Sequence, residues 1–228
     1  LAMKTHDEAP RQNRACCTPD DMRDARRVAD TLAIPFYVLN YAQLFSELVV
    51  RPFVDAYRAG RTPNPCVECN DKVKFVPMLE RARLLGADKL ATGHYARLEK
   101  NPTWGYTLHR GRDTQKDQSY FLYRLKQNQL SDLLFPLGEM TKSNVREHAR
   151  RFGLPVAQKA ESQEICFVGE EGYADVVEKL GGSMQPGDIK NEQGEVMGQH
   201  RGIHRYTIGQ RRGLGVSSPE PLYVTGVD

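Results

Sequence analysis

No stretch of this 228-residue chain approaches the roughly 18 consecutive apolar residues that a membrane-spanning helix needs, and no export signal is visible. A membrane partner is therefore not expected, and the cytoplasm is the expected compartment. Internal repeats and low-complexity segments are also missing, which sets aside solenoid and linker architectures. Acidic or basic excess is slight: the formal net charge of +3 does not by itself require a nucleic-acid partner. Cysteines number only five, and in a cytosolic chain such thiols point to catalysis or metal binding before a disulfide framework. A second Cys-x-x-Cys or a nearby His pair, which would complete a closed zinc site, is not found.

What is present describes a folded domain. Apolar residues make up 39% and charged residues 27%, ordinary values for a chain long enough to bury a sizeable core. Thr18-Pro19-Asp20-Asp21 has the chemistry of a helix start, and Met22, Ala25, Val28, Ala29 and Leu32 follow with helical spacing. Pro35 to Leu39 reads as a short apolar strand ending at Asn40. A second helix is expected from about Ala42 to Ala59, kinked or split by Pro52 and stopped by Gly60. A cysteine-bearing loop follows, and Asn70 is expected to cap a third helix that presents Phe75, Met78, Leu79, Ala82 and Leu85 on one face. Lys89 to Thr92 reads as a strand leading into Gly93-His94-Tyr95. Helices alternating with short apolar strands over residues 1–95 predict a parallel-sheet α/β core, whose ligands bind at the carboxyl ends of strands.

Further along, a hairpin is expected at Tyr106 to His109, then helices over Gln127 to Leu134 and Thr141 to Phe152. Glycines from Gly182 to Gly215 punctuate short strand-like runs, which suggests a small β domain. The chain opens on Leu-Ala-Met-Lys without an initiator methionine. It closes on Pro221 to Asp228, which reads as a strand with nothing to pair against. The expectation drawn from both ends is a fragment.

Four segments carry candidate chemistry. Cys66-Val67-Glu68-Cys69-Asn70 and the distant Cys166 are thiols in turn-rich surroundings, where sulfur reacts with solvent or ligand. Their spacing leaves a metal knuckle, a redox pair, an iron–sulfur cluster and sulfur transfer open, while Cys16-Cys17 reads as a pair at a helix start. Gly93 permits close approach of a ligand, and His94 can donate or accept a hydrogen bond at a strand end. Lys116-Asp117-Gln118-Ser119-Tyr120 is a dense polar cluster suited to phosphate and base-edge contacts, or to a solvated turn. Gly202 to Gly213 mixes arginines, Tyr206 and glycines, as single-stranded RNA contacts do and as a solvated hairpin also does.

Taken in order, Gly60-Arg61-Thr62-Pro63-Asn64-Pro65-Cys66-x-x-Cys69-Asn70, Ala91-Thr92-Gly93-His94-Tyr95, Lys116-Asp117-Gln118-Ser119-Tyr120-Phe121-Leu122, Phe135-Pro136-Leu137-Gly138, Glu164-Ile165-Cys166-Phe167 and His204 to Arg211 closely resemble the bacterial tRNA-specific 2-thiouridylases. The likeness runs from Met3 to the last strand. It implies an α/β fold with a parallel-sheet ATP-pyrophosphatase (adenine nucleotide alpha hydrolase-like) domain over 1–170. A small β-rich central domain over 171–216 and the start of a C-terminal β-barrel over 217–228 follow. It also implies a sulfurtransferase: ATP, with Mg2+, adenylates the C2 oxygen of a wobble uridine in tRNA, and sulfur then replaces that oxygen.

By the same likeness Cys166 carries a persulfide supplied by a sulfur-relay protein or cysteine desulfurase. Cys69 is the nucleophile that releases the sulfur or closes a disulfide with Cys166. Met3 and Gly93 would touch ATP; Asn64, Pro65 and Cys66 would meet the target base. His94, Lys116, Asp117, Gln118, Arg205, Gln210 and Arg211 would contact tRNA. DNA is not an expected partner.

Two departures from the family pattern stand out. The phosphate-cradling Ser-Gly-Gly-x-Asp-Ser loop appears nowhere, so this chain alone is expected to bind ATP poorly and to be inactive. Some relatives have Asp where this chain has Cys66, a position proposed to act as an acid/base. The extra thiol raises a second route, in which Cys66, Cys69 and Cys166 ligate a [4Fe-4S] cluster that binds hydrosulfide. A rival reading is a non-enzymatic tRNA-binding module with a structural, metal-bound Cys-x-x-Cys; another is an ATP-pyrophosphatase acting on a small molecule.

Overall fold

The computed structural model describes residues 1–6, 19–159, 165–169 and 171–228. Thr18, Cys16 and Cys17 lie outside the described residues, as does Glu164 of the second cysteine motif. Strand β1 (Ala2–Lys4) leads to helix α1 (Pro19–Thr31), whose Asp20 and Asp21 in the first turn suit the positive end of its dipole. Strand β2 (Val38–Asn40) returns parallel to β1, with Met3 opposite Leu39. The expected strand at Pro35 begins later, at Val38, while Tyr37 still accepts a main-chain bond from Ala2 (2.8 Å).

Pro52 does not split the second helix. Helix α2 (Ala42–Phe45) runs through a π-helical stretch (Ser46–Val50) into α3 (Arg51–Arg58), with Val50 and Arg51 both in the right-handed helical region. A proline lacks the N–H for its helical bond and its ring crowds the carbonyl four residues back; the wider π turn just before it absorbs both. The same device recurs downstream. Helix α4 (Pro65–Glu68) continues through a π-helical stretch (Cys69–Phe75) into α5 (Val76–Leu84), where Pro77 follows the wide turn. Gly60 ends α3 at φ +65°, and Gly86 sits just past α5 at φ +75°, both where a left-handed residue terminates a helix.

This continuous helix over 65–84 corrects the expected cysteine loop. Asn64 is its cap, accepting from the main-chain N–H of Val67 (3.3 Å), and Pro65 takes the first turn. Asn70 is therefore no cap but a buried helix residue, and Cys66 and Cys69 ride on the helix instead of a turn. The Asn-Pro start, four residues before Cys69, was the stronger signal.

Strand β3 (Leu90–Ala91) is followed by the hairpin β4 (Ala96–Asn101) and β5 (Gly105–Arg110), in register from Ala96–Arg110 to Asn101–Gly105. Helix α6 (Gln127–Leu130) stops short of the expected Leu134. Strand β6 (Leu133–Leu134) instead pairs parallel to β3, Leu90 opposite Leu133. Burial of Leu133 and this ladder outweigh the helical pattern in a short apolar run. Helix α7 (Lys142–Arg151) starts at Thr141, whose hydroxyl accepts from the N–H of Asn144.

Helix α8 (Tyr173–Gly181) was not anticipated, although its Tyr173, Val177 and Leu180 have helical spacing. The strands β7 (Gly187–Lys190) and β8 (Val196–His200) then form an antiparallel pair. Residues 221–228 form no strand, although Val224 exchanges main-chain bonds with Gly209 (2.7 Å) and Gln210 (3.0 Å). Among the described residues no helix is long and apolar enough to cross a membrane.

Among the described residues the core lies in three patches. Phe75, Leu79, Leu90, Ala96, Leu122, Leu133 and Phe135 join α5 to β3, β4 and β6. Phe45, Val49, Cys69 and Val73 join the two long helices, and Phe53, Val54, Tyr57 and Val177 join α3 to α8. Gly138 shows how tightly the first patch is closed. A Cβ there would lie 2.1 Å from the Ala96 carbonyl oxygen, while the Gly138 carbonyl accepts from Arg112 N–H (2.8 Å). Main chain cannot yield as a side-chain tip can, so Gly138→Ala is expected to lose about 1–3 kcal/mol of stability. A shift in urea midpoint at constant slope measures this; an unchanged midpoint would show that the turn is not closely packed.

Candidate functional site

Helix 65–84 organises the site, because each of its faces carries a different candidate residue. Cys69 faces inward and is buried among Phe45, Val49 and Val73. The distant Cys166 packs against the same cluster, half-buried, together with Phe167. Phe167 does the seating: its ring meets Phe45 edge-on at 5.7 Å and Phe53 edge-on at 5.0 Å, between the two apolar patches. A residue locked between two aromatic rings fixes its chain neighbour. Cys66, Cys69 and Cys166 are all reduced, none of them in a disulfide.

Cys66 differs from Cys69. It keeps solvent access, yet the protein around its sulfur raises the thiol pKa by desolvation, and the Lys74 ammonium opposes that only in part. A raised pKa holds Cys66 as a thiol instead of a thiolate at neutral pH. Glu68, between the two cysteines, pairs with Lys72 (2.8 Å) and with Arg124; despite desolvation those partners hold its carboxyl below the ordinary range.

The opposite face of the helix holds the strand-end motif. Phe75 packs at 5.6 Å on the ring of His94, and Phe135 meets that ring at 6.1 Å. Thr92 Oγ1 lies 2.9 Å from His94 Nδ1. Burial in this aromatic slot, with Lys74 adding repulsion, pushes His94 down from 6.5 to about 3. His94 is thus a neutral imidazole, able to hydrogen-bond but not to offer charge to phosphate. Gly93 beside it is exposed, and a Cβ there would meet only Leu137 Cδ1 at 3.7 Å, so a ligand has room at the end of β3.

The polar cluster after β5 closes over this end. Gln118 donates its N–H to the Tyr95 carbonyl (2.9 Å), and its Oε1 accepts from Tyr95 N–H (3.0 Å). Asp117 accepts from Gly111 N–H (2.9 Å) and from the Ser119 N–H and hydroxyl. Against the effect of burial, these bonds keep its carboxyl below the usual range. Asp117 therefore builds the loop, and Lys116 is half-buried beside it. From the helix, Asn70 Nδ2 donates to the Phe121 carbonyl (3.4 Å).

The arginine-rich segment joins from another side. Thr62 donates its hydroxyl to Thr207 Oγ1 (3.1 Å), tying the turn before Cys66 to the segment 203–210, and Gly60 has Val227 within 2.8 Å of a Cβ position. Within that segment Arg205 is engaged: its guanidinium binds Glu178 Oε1 at 2.6 and 3.1 Å, where fully buried His204 also bonds. Gln210 Oε1 accepts from Thr207 N–H and its amide donates to the Arg212 carbonyl, so Gln210 shapes its own turn. Arg211 is exposed.

Cofactor fit is uneven. Met3 has a buried side chain in β1, so a nucleotide would meet its main chain, and β1 and β3 share no ladder among the described residues. No group of three or more His, Cys, Asp or Glu is placed to hold a metal ion among the described residues. Cys66 points to the surface and Cys69 to the core, so the three-cysteine set expected for a [4Fe-4S] cluster does not fit this arrangement.

With this geometry in place, the profile of a known family, the tRNA methyl transferase HUP domain, matches residues 1–170. The chain belongs to that family. The tRNA methyl transferase PRC-barrel domain matches residues 174–228 of the same chain. The HUP-domain assignment agrees with the expected parallel-sheet, ATP-pyrophosphatase-like fold. Among curated relatives, the tRNA-specific 2-thiouridylase MnmA of Geobacter metallireducens is 56% identical over 214 residues, 93% of this chain and 58% of the relative. The protein of the same name from Leptospira interrogans is 50% identical, covering 94% and 57% respectively. That from Afipia carboxidovorans is 48% identical over 229 residues, the whole chain and 58% of the relative. The chain spans a little over half the length of these relatives.

Sequence reasoning missed Phe167, although it adjoins Cys166, and missed the Thr62–Thr207 tie, which no local pattern signals. The His94 slot gives a test. The native state holds this imidazole neutral down to about 3, whereas the unfolded chain protonates it near 6.5. Stability is therefore lost as pH falls through that window, because the unfolded state binds more protons. Relative to His94→Phe, the wild-type unfolding free energy should decline below pH 6.5 with a slope approaching about one proton. Parallel curves for the two proteins would refute the neutral histidine in this slot.

Proposed function

We propose that this chain is the thiol-bearing part of a cytoplasmic tRNA 2-thiouridylase, an enzyme that replaces the C2 oxygen of a wobble uridine with sulfur. The observation that carries the reading is the meeting of Cys69 and Cys166, far apart in sequence, as reduced cysteines on one apolar cluster. Relatives at 48–56% identity bear that activity in their name. The division into 1–170, 171–216 and 217–228 belongs to the same proposal.

The chemistry follows from the two thiols. A sulfur-relay protein or cysteine desulfurase leaves Cys166 as a persulfide. The Cys69 thiolate attacks the inner sulfur of that persulfide, forming a Cys69–Cys166 disulfide and releasing hydrosulfide. Hydrosulfide adds at C2 of the uridine, and the activated oxygen leaves. ATP, with Mg2+, supplies that activation by turning the oxygen into the leaving group of AMP; exposed Gly93 and the main chain at Met3 are the residues here that would hold the nucleotide. An external dithiol then reduces the disulfide. Cys66, kept protonated, stands beside the site as a hydrogen-bond donor to the base, with Asn64 and Pro65 setting the helix start that presents it.

His94 offers tRNA an uncharged hydrogen bond. Lys116, the free amide nitrogen of Gln118 and exposed Arg211 are the cationic and polar contacts, while Asp117, Arg205 and Gln210 act by shaping the loops that carry them. The rival structural-metal module draws no support from the described thiols, and the cluster route is left aside for the same reason.

In the full-length protein, Cys166→Ser and Cys69→Ser should each abolish 2-thiouridine in tRNA while leaving tRNA affinity within about twofold, because removing a nucleophile eliminates the covalent step and not the binding. Nucleoside analysis by mass spectrometry reads the outcome. Retained thiolation in either variant would overturn the assigned roles.

A further inference from the structure

The short 3-10 helix Ser119–Leu122 presents two aromatic rings to solvent for which the reaction above gives no reason. Leu122 alone points fully inward, at 1% exposure, into the core patch of Phe75 and Leu133. Side chains three apart on such a turn eclipse one another. Tyr120 and Tyr123 accordingly share the outer face, 65% and 59% exposed. Their ring centroids lie 6.0 Å apart with planes 43° off parallel. That geometry is a corner, not a self-stack, and it leaves ring faces open to a third flat group.

Both rings are held from behind. Phe121 meets Tyr120 edge-on at 5.8 Å, and the Arg124 guanidinium lies 5.8 Å from the centre of the Tyr123 ring. The same Arg124 pairs with Glu68, between Cys66 and Cys69, and the Phe121 carbonyl accepts from Asn70 beside Cys69. The corner is thus braced directly on the reactive helix. The charges around it are mutually compensated, Glu68 with Lys72 and Arg124 and Asp71 near Arg124, so the patch offers ring faces more than net charge.

A reaction at C2 of a base requires that base to leave the stack of its neighbours. The neighbours then lose stacking of their own, and exposed aromatic side chains are what proteins use to restore it on unpaired RNA. We propose that Tyr120 and Tyr123 form a stacking corner for an unpaired base next to the uridine under modification. The inference rests on the proposed function and adds a binding surface to it.

The test titrates the full-length protein with an anticodon stem–loop RNA carrying a wobble uridine, and with RNAs made abasic at one loop position each. Tyr120→Ala and Tyr123→Ala should weaken binding about tenfold, within the span usual for losing one base stack. Tyr120→Phe and Tyr123→Phe should bind within about twofold of wild type, and the dependence of affinity on salt should keep its slope, since no phosphate contact is removed. One abasic RNA should weaken wild-type binding by a similar factor and cause no further loss in the alanine variants.

Alanine variants that bind like wild type, or a Phe variant as weak as its Ala counterpart, would overturn the stacking corner. So would alanine variants that keep RNA affinity but lose sulfur transfer from the donor protein, which would make the patch a protein-docking surface. A wild-type protein that thiolates tRNA while the alanine variants are unaffected removes the corner alone. A wild-type protein that binds no tRNA removes the proposed function, and the corner with it.

Discussion

The structure depends on how Phe167 is seated. Its ring lies edge-on to Phe45 and to Phe53, which belong to the long helical run over 42–58, and so pins the segment carrying Cys166 against the apolar cluster that Cys69 also joins. Aromatic contacts of this kind are directional as well as apolar, and they fix a neighbour where a purely aliphatic contact would let it slide. Without that wedge, the two thiols would be distant positions on a chain. With it, they share one cluster.

Around this contact the helix over 65–84 distributes the remaining pieces. Its start is set by Asn64 and Pro65, and its π-helical middle accommodates Pro77 while turning Cys69 and Val73 toward the core. Wide π turns recur at functional sites because they re-aim side chains within an otherwise regular helix. The same helix sends Asn70 to the Phe121 carbonyl and Phe75 to the ring of His94. The turn before it is tied to Thr207. A site organised by one rigid element tolerates little displacement, which suits the proposed transfer of sulfur.

Much of this was legible in the chain itself. Helical spacing located α1 and α5, Gly60 and Gly86 marked the ends of their helices, and the strand before Gly93 was read where β3 lies. The errors have physical causes. Asn70 looked like a cap because a polar residue after Cys69 has capping chemistry, but Asn64-Pro65 had already started the helix. Leu133 and Leu134 continue a helical pattern, yet a ladder to β3 holds them as a strand. Contacts between residues far apart in sequence, such as Thr62 with Thr207 or Phe167 with Phe45, leave no periodic trace. Arg205 shows the limit from the other side: a basic segment suggests phosphate, but only the fold shows its guanidinium on Glu178.

The central claim is that Cys69 and Cys166 work as a pair while Cys66 stands apart. Mild oxidation of the reduced full-length protein, followed by peptide mapping of disulfides, tests it most directly. The account predicts a Cys69–Cys166 bridge as the first product, formed more slowly in Phe167→Ala. A Cys66–Cys69 bridge in its place, or a rate indifferent to Phe167, would contradict it.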